Sequence, residues 1–135
     1  MKTLRVGIAN YAEMKARTLA IARGQRRVAK NEPKIWFASI ESFAKVLSAG
    51  NRDLLKVIAE HSPKSLDELA RLTGRAKSNL SRTLKTMEGY GLLQLERGPR
   101  GRIKPTVQHK KVELELPLMR KILDTKGKGT PKKAI

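Results

Sequence analysis

Residues 65–93 read SLDELARLTGRAKSNLSRTLKTMEGYGLL, and their spacing predicts two helices joined by a tight turn. Ser65 stands three residues before Glu68, a capping-box pattern that satisfies backbone N–H groups at a helix start. Leu66, Leu69, Ala70 and Leu72 then supply an apolar stripe, and Gly74 ends the segment. A longer helix is expected from about Ala76 to Glu88. At about 100° per residue its Ala76, Leu80, Leu84 and Met87 fall in one apolar arc. Lys77, Ser78, Ser81, Arg82 and Lys85 fall in the opposite arc, with Glu88 at its end.

Downstream, Gly91 closes the helix and Leu92 to Glu96 has the composition of a strand. Arg97-Gly98-Pro99-Arg100-Gly101-Arg102 is a turn, because Gly and Pro there favour a sharp reversal. Residues 103–108 are the returning strand. Two helices, a Gly-containing turn and a β-hairpin follow one another in the order of a winged helix-turn-helix.

Upstream, Asn51 is expected to cap a helix with Leu54, Leu55 and Ile58 inward and Pro63 beyond its end. Ser39 caps another, with Ile40, Phe43, Ala44 and Leu47 at helical spacing and Gly50 as its stop. Trp36 and Phe37, among apolar neighbours, are read as core anchors. Residues 25–33 are polar and basic and read as a linker or exposed loop. Before them, Asn10 and Glu13 form a capping pair for a helix to about Arg23, with Tyr11, Met14, Thr18, Ile21 and Ala22 on one face. Residues 3–9 alternate, Leu4, Val6 and Ile8 against Thr3, Arg5 and Gly7. Residues 111–116 alternate likewise, Val112, Leu114 and Leu116 against Lys111, Glu113 and Glu115. The two segments can share a sheet, which would set Lys2 and Arg5 beside Glu113 and Glu115, within one chain or between two.

The expected architecture is thus α+β: a winged helix-turn-helix with short N- and C-terminal strand extensions. Residues 1–33 form the strand–helix extension and basic linker, 34–108 the winged domain, 109–123 the second extension, and 124–135 a disordered basic tail.

Charge narrows the partners. Thirty Lys and Arg face twelve Asp and Glu, a formal net charge of +18 in 135 residues. Such a charge opposes compaction by self-repulsion unless a polyanion is near, and nucleic acid is the commonest one. No apolar run approaches the roughly 20 residues of a spanning helix, and residues 1–5 lack the apolar core of a secretory signal. A cytoplasmic chain with no membrane partner is expected. There is no cysteine. His61, read as a helix-end residue, and His109, read as a loop residue, have no ligand cluster beside them, so no metal is expected. Neither a phosphate-binding Gly-Lys-Ser/Thr loop nor a Gly-x-Ser-x-Gly elbow occurs, and neither an enzyme nor a cofactor is expected.

The exposed arc of the second helix mixes short hydroxyls with long cations. Arg and Lys can read guanine edges in a major groove, Ser reaches bases or phosphates, and arginines on a rigid loop suit phosphate or minor-groove contact. The expected DNA-binding residues are Lys77, Ser78, Asn79, Ser81, Arg82 and Lys85 in the helix, and Arg97, Arg100 and Arg102 in the turn.

The run from Ser65 to Gly74, then Lys77-Ser78-Asn79-Leu80-Ser81-Arg82-Thr83-Leu84-Lys85, then Glu88-Gly89-Tyr90-Gly91-Leu92-Leu93 resembles the MarR-type winged-helix regulators. The resemblance covers residues 39–108. It implies a helix docked in the major groove through Lys77, Ser78, Ser81, Arg82 and Lys85, and a wing on the backbone through Arg100 and Arg102. It also implies a homodimer on a palindromic site. Two departures stand out: Ala76 replaces a capping Ser or Thr, and the long terminal helices of that family are lacking. The flanking pattern is similar to small regulators that act as antitoxins in toxin–antitoxin operons, which would add a toxin protein as partner. The expected function is a sequence-preferring duplex-DNA-binding transcriptional regulator, a repressor. The alternatives are an antitoxin repressing its own operon and a general nucleic-acid-binding protein.

Overall fold

The structure, a computed structural model, describes residues 2–118. The expected tail over 124–135 lies outside the described residues. Within them the chain is α+β, with five α-helices and two small sheets. The elements are β1 (Lys2–Ile8), α1 (Tyr11–Ala22), β2 (Ile35–Phe37), α2 (Ile40–Val46), α3 (Ala49–His61), α4 (Leu66–Thr73), α5 (Lys77–Gly89), β3 (Gln94–Arg97), β4 (Ile103–Thr106) and β5 (His109–Glu115).

The two alternating segments pair, but Lys2 lies opposite His109 and not beside the two glutamates, and Leu116 lies past the strand's end. β1 is the central strand of a three-stranded sheet in the order β2-β1-β5, and both its neighbours run parallel to it. Leu4 lies opposite Val112, and Val6 opposite Leu114, on the face that enters the core. Arg5 lies opposite Glu113 on the other face and bonds Glu113 at 2.7 Å and Glu115 at 3.1 Å. The partnership is within one chain. A strand flanked on both edges leaves little room where a neighbour's side chain lies across it. Gly7 illustrates this: Trp36 of β2 lies so close that a Cβ on Gly7 would stand 2.5 Å from its ring.

Asn10 and Glu13 form a full capping box at the start of α1. The expected face of that helix is corrected: Tyr11 is 80% exposed, and Thr18 and Ala22 are exposed too. Met14, Arg17, Ala20 and Ile21 are the half-buried positions, and no residue of α1 is fully buried. The cause is polar packing. The Arg17 guanidinium lies over the Trp36 ring at 5.1 Å and bonds Glu32 at 2.7 Å, and Arg26 bonds the other Glu32 oxygen. The loop over 25–33 is tied down by this cluster.

Several expected boundaries move. Ile35–Phe37 is a strand as well as a core anchor, because its backbone pairs with β1. Gly50 does not stop a helix: α2 already ends at Val46 with Leu47 as its C-cap, and Gly50 lies in the first turn of α3. Ser48, not Asn51, is the N-cap of α3, accepting the Asn51 N–H at 3.3 Å. The Asn51 amide instead donates to the Val46 carbonyl at 2.9 Å. Ser65 caps α4 as expected, but the Glu68 carboxylate takes the N–H of Lys64. Leu72 turns outward at 43% exposure, and Ala44 and Ala76 are also exposed. His109 opens β5 and is no loop residue.

One apolar cluster joins everything. Leu4, Val6 and Phe37 of the sheet meet Leu54 and Ile58 of α3, Leu66 and Leu69 of α4, Leu80, Leu84 and Met87 of α5, and Leu92, Leu93 and Leu95 beyond it. Phe37 is fully buried, stacked on Tyr90 at 4.1 Å and edge-on to Phe43 at 5.3 Å. The edge-on arrangement suits the aromatic quadrupole.

The Glu32 cluster makes a pH prediction. Burial pushes the Glu32 carboxyl up, but the Arg17 hydrogen bond and the charges of Arg26 and Arg17 outweigh it and hold the group below its ordinary value. A folded value below the unfolded one gives stability that is complete above the ordinary Glu range and lost as pH falls through the folded value. Glu32→Gln is therefore expected to lower Tm at neutral pH, and its deficit against wild type to shrink as acid is added. A deficit that stays constant across that range would show that the charge of Glu32 contributes nothing.

Candidate nucleic-acid interface

α5 is amphipathic, and its orientation is fixed by one face. Leu80, Leu84 and Met87 are all 0% exposed, so the opposite arc must face outward. Lys77, Ser78, Asn79, Arg82 and Lys85 are exposed and Ser81 is half-buried. Ala76 occupies the N-cap without a side-chain hydrogen bond, which leaves first-turn N–H groups open to an external acceptor. α4 is held before it by Gly74, whose φ of +75° suits glycine and lets the chain reverse.

The hairpin β3–β4 is antiparallel, with Glu96 opposite Lys104 and Arg97 opposite Ile103. Its tip is closed by the Gly98 N–H donating to the Arg102 carbonyl at 2.8 Å and the Arg102 N–H to the Pro99 carbonyl at 3.2 Å. Closure sets Arg100 at φ +60° and Gly101 at φ +71°. Arg100 is thus a long side chain held in the left-handed region, where a non-glycine residue costs roughly 1–2 kcal/mol.

Helix and hairpin converge. Ser65, Asp67, Lys77, Arg100, Arg102 and Ile103 line one open cavity of about 230 Å³. Ser81 and Lys85 line a small crevice with Leu66, Leu95 and Ile103, which puts the middle of the outward arc on the hairpin side. A second cavity of about 310 Å³ on the hairpin is lined by Lys64, Glu96, Arg97, Gly98, Arg102 and Lys104. The sequence reading missed Lys64 and Lys104, since neither lies in the helix arc or the turn.

The nine expected residues are not equivalent. Lys77 bonds Asp67 at 2.8 Å, and this hydrogen bond and the Lys77 charge hold the Asp67 carboxyl below its ordinary value. Both groups lie in solvent, where such a pair is weak and readily exchanged. Arg97 folds back toward Glu88 at 3.7 Å and donates to the Leu95 carbonyl at 3.3 Å, while still lining the hairpin cavity. Asn79 accepts from Arg75 at 3.5 Å. Among the described residues no acid lies within ion-pair distance of Arg82, Lys85, Arg100 or Arg102. No group of three or more His, Asp or Glu among the described residues could hold a metal ion. No helix among them is long and apolar enough to cross a membrane.

Residues 46–114 match the model of the HVO_A0114 family. The chain belongs to the HVO_A0114 family. The matched span runs from the end of α2 through the hairpin into β5, so it contains α5, the tip arginines and both cavities. The part of the chain before it, with β1, α1 and β2, falls outside the HVO_A0114 match. No curated protein matches the chain.

A positioning residue also escaped the sequence reading. Arg75, half-buried in the turn before α5, donates to Asn51 at 3.3 Å and to Asn79 at 3.5 Å. It thereby ties the first turn of α5 to α3, and only its place beside Gly74 could have hinted at this. Arg75→Ala is expected to cost about 0.5–1.5 kcal/mol by urea unfolding, the usual net worth of such a bond. Amide exchange should speed up at 77–80 before it does elsewhere. Unchanged exchange there would mean that α5 is held by its apolar face alone.

Proposed function

We propose that this protein is a winged helix-turn-helix DNA-binding regulator in which α5 enters the major groove and the β3–β4 hairpin serves as the wing. The observation that carries this reading is the convergence of Lys77 at the start of α5 with Arg100 and Arg102 of the tip around one cavity. A groove-bound helix needs a polar, cationic outer face on a rigid support, and α5 has its inner face wholly buried. In this reading Arg82, with Ser78, Ser81 and Lys85 beside it, reaches base edges. Arg100 and Arg102 hold phosphates, which position the protein without reading sequence. Lys77 exchanges Asp67 for a phosphate, a replacement that a weak exposed ion pair permits. The resemblance to MarR-type regulators supports the same assignment, and repression follows by occupying a promoter. No step needs a cofactor.

The test separates reading from holding. A duplex is first selected from a random pool, then compared with a scrambled one at a single salt concentration. Arg82→Ala is expected to cost about 1–3 kcal/mol on the selected duplex and to relax its preference at one or two positions. Arg100→Ala is expected to weaken both duplexes alike and to lower the salt slope by about one. With about six to ten phosphates neutralised, wild-type log K should fall against log salt with a slope of roughly −5 to −9. Equal losses on both duplexes for Arg82→Ala would favour a general nucleic-acid binder. A salt slope near zero would refute the proposal.

A further inference from the structure

The three-stranded sheet has two unlike edges. β2 is three residues long and leads directly into α2. β5 is seven residues long, and its backbone bonds among the described residues run to β1 alone. A long unpaired edge with apolar side chains is an adhesive surface unless something covers it. Here Leu114, opposite Val6 on the core face of the strand, is 37% exposed, and Leu116, just past the strand's end, is 44% exposed. Beside the first half of β5 lies an open cavity of about 160 Å³, lined by Leu55, Ala59, Leu92, Val107 and Val112 together with Lys56 and strand residues 109–111. The strand thus carries an exposed leucine at one end and a groove with apolar walls at the other.

We propose that the outer edge of β5 is the contact between two copies of this chain, paired antiparallel about a two-fold axis through Glu113. Only an even register keeps core faces together across such an axis, because side chains alternate along a strand. Placing the axis at Glu113 sets Val112 opposite the second copy's Leu114. Leu114 of each copy then meets Val112 of the other, which lines that copy's groove. On the opposite face Lys111 comes opposite Glu115, twice. The two Glu113 carboxylates meet on the axis, but each is already held by Arg5 at 2.7 Å and Lys111 at 3.1 Å. An axis at Leu114 would instead set Glu113 against Glu115. The result is a six-stranded sheet made of two three-stranded halves. The contact is independent of the DNA reading, and it is tested without DNA.

The chain has no cysteine, so single introduced thiols report the register cleanly. Glu113→Cys leaves Arg5 its bond to Glu115 and puts two thiols across the axis, within the Cα separation that a disulfide spans. Full-length Glu113→Cys is expected to oxidise to a covalent dimer faster than Val112→Cys or Leu114→Cys. Sedimentation of the wild type should show a concentration-dependent dimer. Lys111→Glu or Glu115→Lys alone should weaken it about tenfold or more, since each converts two attractive cross-strand pairs to repulsive ones. The double swap should restore it. A chain that stays monomeric while its β5 amides resist exchange would show residues 119–135 covering the edge, and would overturn the proposal. So would a dimer indifferent to all these substitutions, or one that crosslinks fastest through position 112 or 114.

Discussion

Phe37 joins the two halves of the molecule. It comes from the shortest strand, yet its ring lies at 0% exposure between Tyr90, the residue that ends α5, and Phe43 of α2. With two phenylalanines, two tyrosines and one tryptophan in the chain, three of five aromatic rings meet there. The remainder of the core is aliphatic, and aliphatic side chains pack densely without prescribing one orientation as ring pairs do. The stack therefore sets where the end of α5 sits relative to the β2-β1-β5 sheet, and the outward face of α5 follows from that placement.

Charge and packing are divided between separate regions. Five of the described acids are spent on local ion pairs: Glu113 and Glu115 on Arg5, Glu32 on Arg17 and Arg26, Asp67 on Lys77, Glu88 on Arg97. Those pairs hold the sheet face, the loop after α1 and the margins of the helix–hairpin region. Arg82, Lys85, Arg100 and Arg102 stand without an acid in range among the described residues, and they supply part of the net charge of +18 on the helix–hairpin side. The strained φ of Arg100 fits this division, since a glycine there would be easier to fold but would carry no charge.

Much of this was legible in the sequence because strong local signals coincide. The Ser65 cap, the Leu80, Leu84 and Met87 arc, the Gly74 and Gly91 stops and the alternation of residues 3–9 and 111–116 each have a single physical reading, and the structure agrees. The Arg5 pairing with Glu113 and Glu115 was legible too, because alternation fixes faces. Helix starts were harder. Ser48 and Asn51 are both good caps three residues apart, and only the Asn51 amide bonding back to Val46 decides between them. β2 was hidden because three residues are too few to show a period. α1 misled because its inner face is built from Arg17 on Trp36, and an apolar stripe cannot reveal a cation stacked on an indole. Of the site, the arc and tip were readable; the Arg75 tie, the retreat of Arg97 toward Glu88 and the contribution of Lys64 and Lys104 depend on the fold.

The central claim is that α5 and the hairpin tip form one DNA-facing surface on a rigid core. Amide-resolved NMR of the labelled chain, titrated with a duplex selected from a random pool, tests this most directly. The account predicts that shift changes concentrate at 77–85 and 98–102, while residues of β1 and the buried face of α5 move little. Changes centred on α1 and the loop over 23–34, with 77–85 unmoved, would contradict it.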